Sequence, residues 1–411
     1  MESNRSSRRR FLTQTAALAG VAAGAGLAAK SSPAQAAQAQ SNVHNEPPKR
    51  GARYRIDHMT HYTPLHEYNG IITPSRLHFM QQHTSEFPYL DEQRHTLSIY
   101  GLVDRPMRFT VAELKQLPSV SRVHFLECHA NSSPAIHSQG QPHMGLPVQY
   151  IHGMTSCSEW TGVPMSVLLR EAGLKTTGTW LVNEGGDACN FSHTLPTAKA
   201  LEDCIVAYGQ NGDPIREEQG FPIRLVVPGW EAPFSVKYLK NIKVVDQPYH
   251  AWNEAMNHSV ARPDLGGKSR WYHFAFGPKS VITRPSAGLE MRRGYNQITG
   301  LAWSGGGKIT KVEITTDGKN WREAKLQDPI HTKAHTRFTF DYEWNGQEAM
   351  LISRSTDDQG EIQPSLAEMS KHHGIPIADW QKKDKPRSIH TNWQQPWKVN
   401  KDGSISDAMF A

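Results

Sequence analysis

The stretch "RVHFLECHANSSPAIHS", residues 122–138, ends an apolar run on a single cysteine, Cys128, and passes at once into polar turn formers. Four chemistries compete for that thiol. It can be a buried structural cysteine, although the run "HANSS" behind it sets it where a strand opens into a loop. It can bind zinc with His124, His129, His137 or His143. Neighbours on a strand face opposite sides, however, so Cys128 and His129 do not readily share an ion, and no zinc spacing is present. It can be a nucleophile with one of the chain's 21 histidines as base, though no local protease signature surrounds it. Or it can be a thiolate ligand to a soft metal whose remaining ligands come from a cofactor, a role that asks for one cysteine only.

The elements that must position Cys128 read as alternating strands and helices. "HTLSIYGLV" alternates as a strand, "FTVAELKQLP" has helical spacing with Thr110 as N-cap and Pro118 as stop, and "RVHFLEC" is the strand that delivers the cysteine. "VPMSVLLREAGL" predicts an amphipathic helix closed by Gly173, and "TWLVNEGG", "CIVAYGQNG" and "FPIRLVVPG" predict strands closed by Gly-rich turns. To about residue 250 the chain is therefore mixed α and β. From about residue 275, "SVITRPSAG", "YNQITGLAWSGGG", "KITKVEITTDGKNW", "TRFTFDYEW" and "EAMLISRSTDDQG" are short alternating runs with almost no helical period, the pattern of a β-sandwich.

Composition narrows the partners. The 411 residues are 37% hydrophobic and 20% charged, a globular balance with room for more than one domain. Arg5, Arg8, Arg9, Arg10 and Lys30 against Glu2 concentrate +4 of the net charge of +6 in the first 36 residues, which makes nucleic acid a poor partner for the rest. That segment, "SRRRFL" followed by "AALAGVAAGAGLAA" and small-residue "AQA" sites, reads as a removable twin-arginine export leader over residues 1–36, and it is too short and Gly/Ala-rich for a membrane span. A periplasmic location follows as an expectation. Four cysteines are too few for a disulfide scaffold, and there is no C-x-x-C-H for covalent haem.

Four blocks carry a resemblance: "FLECHANSS", "GMTSCSEWTGVPMSVLL", "IVAYGQNGDPIREEQGFPIRLVVPGWEAPFSVKYLKNIKV" and "ITGLAWSGGGKITKVEITTDGKNW". In order, over about residues 70–400, the chain resembles the sulfite oxidase family of molybdenum enzymes, and within it the molybdenum subunit of the sulfane dehydrogenase (SoxC) type. The resemblance implies an α+β chain. A linker or arm over 37–69 leads to a mixed α/β molybdopterin-binding domain over 70–255, and an immunoglobulin-like β-sandwich dimerisation domain follows over 256–411. It implies molybdenum-molybdopterin as cofactor, with Cys128 on the metal. His83, Arg224, Lys237 and Ser235 of the "SVKYL" block would hold the pterin, whose phosphate calls for fixed cations and backbone donors. Trp160 would line the substrate pocket, and Tyr208 would be structural.

The chain also departs from the family pattern. Gln81 stands where sulfite-oxidising members carry an arginine that holds the anionic substrate, and Ser133 stands where they carry a second. Tyr272 is the nearest candidate for the active-site tyrosine, and Arg387 for a late arginine reaching the metal pocket. The resemblance implies no haem in this chain, hence a c-type cytochrome as electron acceptor, and a homodimer. The implied reaction is oxygen transfer to sulfite or to a protein-bound sulfane sulfur. Two rivals stand beside it: a sulfoxide reductase, a class that lacks the sandwich, and a binding subunit that has kept the fold and lost catalysis.

Overall fold

The computed structural model describes residues 54–55, 59–132, 145–261, 265, 268–380 and 390–409. The expected export leader, most of the expected arm, His137, His143, Ser133 and Arg387 lie outside the described residues.

Two five-stranded sheets build the first half. One runs Asp213–Pro214, Ile205–Gln210, Thr155–Pro164, Val120–Glu127, with Arg224–Val226 added against Ile205–Gln210; its pairings are antiparallel. The other runs Met107–Thr110, Thr96–Gly101, Leu239–Val245, Trp180–Gly185, Ser192–Pro196, and its one parallel pairing joins Leu239–Val245 to Thr96–Gly101. Helices cover these sheets. Met165–Ala172 buries Met165, Leu168, Leu169 and Ala172 and stops where Gly173 takes a left-handed φ of 70° that a side chain would disfavour. Thr110 caps as expected: its hydroxyl accepts from the Glu113 amide and the Glu113 carboxylate returns to the Thr110 amide. The helix it caps is only Val111–Leu114, because its last bonds tighten to Gln116 N–Glu113 O and Leu117 N–Leu114 O ahead of Pro118, and "MRFT" before it is the strand Met107–Thr110.

The second half is a β-sandwich of a four-stranded sheet, Lys279–Arg284, Gly294–Trp303, Thr336–Trp344, Lys325–Gln327, and a five-stranded sheet, Trp321–Glu323, Ile309–Thr315, Ala349–Asp357, Pro396–Val399, Ile405–Asp407. Inward residues such as Val281, Ile298, Leu301, Val312, Ile314, Phe338, Leu351 and Trp397 are buried and form one core. An eight-residue helix, Leu366–His373, interrupts the strands here, and its capping box Ser365/Glu368 stands in the sequence as "PSLAE". The halves are joined tightly. Gly229 (φ 77°) abuts Gly305, where a Cβ would meet the Gly229 carbonyl oxygen at 2.0 Å, so both turns need glycine.

Candidate functional site

The strand Val120–Glu127 ends just before Cys128, and alternation along it sends Phe125 and Glu127 toward the sandwich and Leu126 and Cys128 toward a cavity on the other side. That cavity, about 640 Å³ of space between atoms and partly open to solvent, collects Gln81, His83, Cys128, Arg224, Ser235 and Lys237 on one wall or another. Six sequence-predicted residues from four separate segments thus meet. His78, Gln82, Asp187 and Gln219 join them, and none of these was singled out by the sequence.

The cations are the main electrostatic fact. Arg224 is 3% exposed and donates to the carbonyls of Gln219 (2.9 Å), Ser235 (2.8 Å) and Leu225 (3.4 Å), with its guanidinium 5.1 Å from the Trp160 ring. Lys237 donates to the Gln81 carbonyl (3.0 Å), the Glu218 carbonyl (3.1 Å) and Gln82 Oε1 (2.5 Å). Among the described residues neither has a carboxylate within ion-pairing distance. Burial accordingly pushes Arg224 down to about 9, and burial with the Arg224 charge pushes Lys237 down to about 7. Gly220, at φ 106°, lets the backbone lie against both: a Cβ there would stand 3.0 Å from Lys237 Cβ and 3.2 Å from Arg224 Cβ. Ser235 Oγ accepts from the Val227 amide at 2.9 Å and keeps its proton free to donate into the cavity.

Cys128 is a free thiol, and burial raises it to about 12, with the Glu231 and Glu127 charges adding and a backbone hydrogen bond at Ala130 opposing. A thiolate is stable here only with a cation beside it. Among the described residues no group of three or more His, Cys, Asp and Glu is arranged to hold a metal ion. Burial, with the Glu127 charge adding, pushes the Glu231 carboxyl well above the usual carboxylate range, and its Oε1, next to the cavity wall at Ala232, has no hydrogen-bond partner among the described residues.

A group of histidines adjoins the cavity at His83, whose ring lies 6.2 Å from that of His258. His83 keeps an exposed edge, yet its ring stacks on Phe191 at 4.4 Å, and loss of water on that face with the nearby Lys237 charge brings it down to about 4. His129 meets His258 edge-on at 4.6 Å, His258 Nδ1 lies 3.2 Å from His193 Nε2, and Glu254 Oε1 lies 3.1 Å from His193 Nδ1. Single histidines spread over "CHAN", "NFSH" and "MNHS" gave no sequence signal of this grouping.

Two expectations change. Trp160 does not reach the cavity: it is fully buried, its indole donates to the His124 carbonyl at 3.4 Å, and it supports Arg224 from beneath. Tyr272 is not among the cavity-lining residues; it stacks on His250 at 4.9 Å, beyond the short ladder Val260–Ala261/Arg270–Trp271. Tyr208 packs half-buried against the first core, with Lys115 over its ring at 6.0 Å.

Comparison with known proteins defines the class. Residues 84–253 match the oxidoreductase molybdopterin binding domain and residues 272–380 the Mo-co oxidoreductase dimerisation domain. The chain is therefore a molybdopterin oxidoreductase of two-domain build. It belongs to the sulfite oxidase family: it superposes on the sulfane dehydrogenase SoxCD from Paracoccus pantotrophus with a TM-score of 0.78 and 34% identity, covering 95% of this chain and 96% of that one. Plant nitrate reductases are similar over a shorter span, that of Phaseolus vulgaris at 31% identity over 296 residues and that of Hordeum vulgare at 30% over 295. Those alignments cover 64% of this chain and 32% of each nitrate reductase, so the chain spans about a third of the length of these relatives.

Proposed function

We propose that this chain uses molybdenum-molybdopterin to oxidise sulfite or a sulfane-sulfur compound and passes the electrons to a c-type cytochrome. We place it in the periplasm after twin-arginine export, as a homodimer through its sandwich. The observation that carries the reading is a pair of cations, Arg224 buried and Lys237 half-buried, that have no carboxylate within ion-pairing distance among the described residues and face one cavity with the buried thiol of Cys128.

An anionic pterin phosphate fits that arrangement because it supplies the missing countercharge, and the Ser235 hydroxyl and the Gln82 and Gln219 amides offer neutral contacts beside it. A soft metal fits Cys128 for the same reason: it stabilises a thiolate that this environment alone disfavours. When bound, the cofactor supplies two-electron oxygen-transfer chemistry. The chain's own residues bind and orient it, exclude water around Cys128, and present Gln81 and His83 at the cavity wall. Net oxidation takes its oxygen from water and releases two protons and two electrons, and a single-haem acceptor removes the electrons one at a time. The overall similarity to a sulfane dehydrogenase supports a sulfur substrate.

The test is molybdenum content of the protein purified from the periplasm, beside a Cys128→Ser variant, followed by cytochrome c reduction with sulfite and with protein-bound sulfane sulfur. Near-stoichiometric metal, an altered metal site in the variant and sulfur-dependent reduction are expected. A folded, exported sample without molybdenum would favour a binding subunit, and a loaded sample inert to every sulfur donor would end the substrate assignment.

A further inference from the structure

Behind Cys128 the sandwich grips the cysteine's own strand. Lys279 opens the strand Lys279–Arg284, Trp303 closes the strand Gly294–Trp303, and the two are direct partners in the antiparallel register. Both reach Glu127, the residue before Cys128. Lys279 Nζ donates to Glu127 Oε1 at 2.7 Å, and Trp303 Nε1 donates to Glu127 Oε2 at 2.6 Å. Lys279 Nζ also donates to Ser132 Oγ at 2.7 Å, and Asn131 Nδ2 to Glu127 Oε1 at 2.8 Å. Thr391, again from the second half, donates to the Asn131 carbonyl at 2.6 Å.

The turn after Cys128 is thus closed from both ends. Asn131 N donates to the Cys128 carbonyl at 2.9 Å, and Ser132, held at φ 72°, donates its amide to the Ile151 carbonyl at 2.9 Å. A left-handed serine persists only where its surroundings dictate it. A buried ion pair such as Lys279–Glu127, with both side chains 1% exposed, is weak evidence for stability, since apolar residues of similar size often serve as well. What it does supply is a fixed direction, because Lys279 and Asn131 claim one carboxylate oxygen and Trp303 claims the other.

We propose that Lys279 and Trp303 are positioning residues for Cys128: by fixing Glu127 on one face of the strand they fix the direction in which the next side chain, the thiol, enters the cavity. The sandwich then sets the geometry of the metal ligand besides any part it has in dimerisation. The inference rests on Cys128 being that ligand, and the experiment keeps the two claims apart.

In the metal-free full-length chain carrying Cys189→Ser, which removes the one exposed thiol, alkylation of Cys128 by N-ethylmaleimide is followed by peptide mass. Trp303→Phe and Lys279→Met are expected to raise the rate about tenfold or more, and Lys279→Arg to restore it toward wild type. In the molybdenum-loaded enzyme the same variants are expected to shift the Mo(V) EPR signal and to lower kcat by about 10- to 100-fold, the range for groups that orient a ligand, with KM and metal content unchanged. Wild-type alkylation rates in both variants would overturn the proposal. So would an equal increase in Arg354→Ala, which breaks a remote sandwich pair with Glu313. If Lys279→Met fails to fold, Trp303→Phe decides, because it keeps an aromatic ring in the core while it removes the donor. If wild-type protein binds no molybdenum, the ligand assignment falls, and the alkylation rates still judge the anchor.

Discussion

Buried and half-buried cations stand on two sides of Cys128 and are held on opposite terms. Lys279, behind the cysteine, is 1% exposed and paired with Glu127. Arg224 and Lys237, in front, are held by carbonyl and amide oxygens alone among the described residues. A folded chain that buries a charge without a countercharge gives up stability, and it does so where a ligand will complete the pair. The back is thus built for the protein's own architecture and the front, on the proposed function, for the anionic cofactor.

The largest effect separates the two directly. Lys279→Met leaves the Glu127 carboxylate buried and unpaired, and should destabilise the ligand-free protein by about 3–5 kcal/mol. Lys237→Met loses three hydrogen bonds to neutral acceptors but also removes an unneutralised charge, so the two terms oppose and the cost should be less than half as large. Urea unfolding midpoints measure both. Equal costs would erase the distinction.

The pH dependence sharpens it. Lys237 sits near 7 in the folded chain against an ordinary 10.5, so between these values the unfolded chain holds more protons. Stability of the ligand-free protein should therefore rise as pH increases from about 7 to about 10.5, and below 7 the penalty is fully present. Lys237→Met should flatten that rise, and so should a bound anion, which draws the folded pKa back up. Thermal unfolding in that window, with and without cofactor, reads the slope. An unchanged slope in the variant would mean that Lys237 already has a countercharge.

The same division governs what the sequence could disclose. Arg224, Ser235 and Lys237 lie within one continuous run, "GFPIRLVVPGWEAPFSVKYL", and the strand and turn pattern around them carries their proximity. Cys128 is legible because a strand that ends in polar turn formers announces a loop. Lys279, in "GPKSVITR", reads as a surface charge at a strand start; only packing of the sandwich on Val120–Glu127 turns it inward. Trp160 misleads for the converse reason: a tryptophan beside a site motif suggests a pocket wall, whereas the antiparallel register with Arg122 and Gln210 places it beneath Arg224. The histidine row fails to announce itself because its members come from three segments with no shared period.

The smallest effect concerns Gln81, at the cavity wall, and the sulfite turnover proposed above. Gln81 is held loosely: its Oε1 accepts from Thr60 at 3.3 Å and its Nε2 donates to the Gln82 carbonyl at 3.4 Å, both long, so a larger side chain can replace it without breaking a strong contact. An amide hydrogen-bonds an oxyanion but does not neutralise it, whereas a guanidinium does both. Gln81→Arg should therefore lower KM for sulfite about fivefold, worth about 1 kcal/mol, with kcat within about twofold. The gain is small because the new cation is repelled by Lys237 and Arg224, and for that reason it should grow once a bound anion neutralises them. It should also shrink with added salt, since the cavity is partly open to solvent. Steady-state kinetics at two ionic strengths distinguish the outcomes. A lower KM would mark Gln81 as the position where this chain gave up sulfite affinity, and an unchanged KM would mean that the cavity is organised around a substrate that brings its own charge balance, such as a sulfane sulfur carried on a protein.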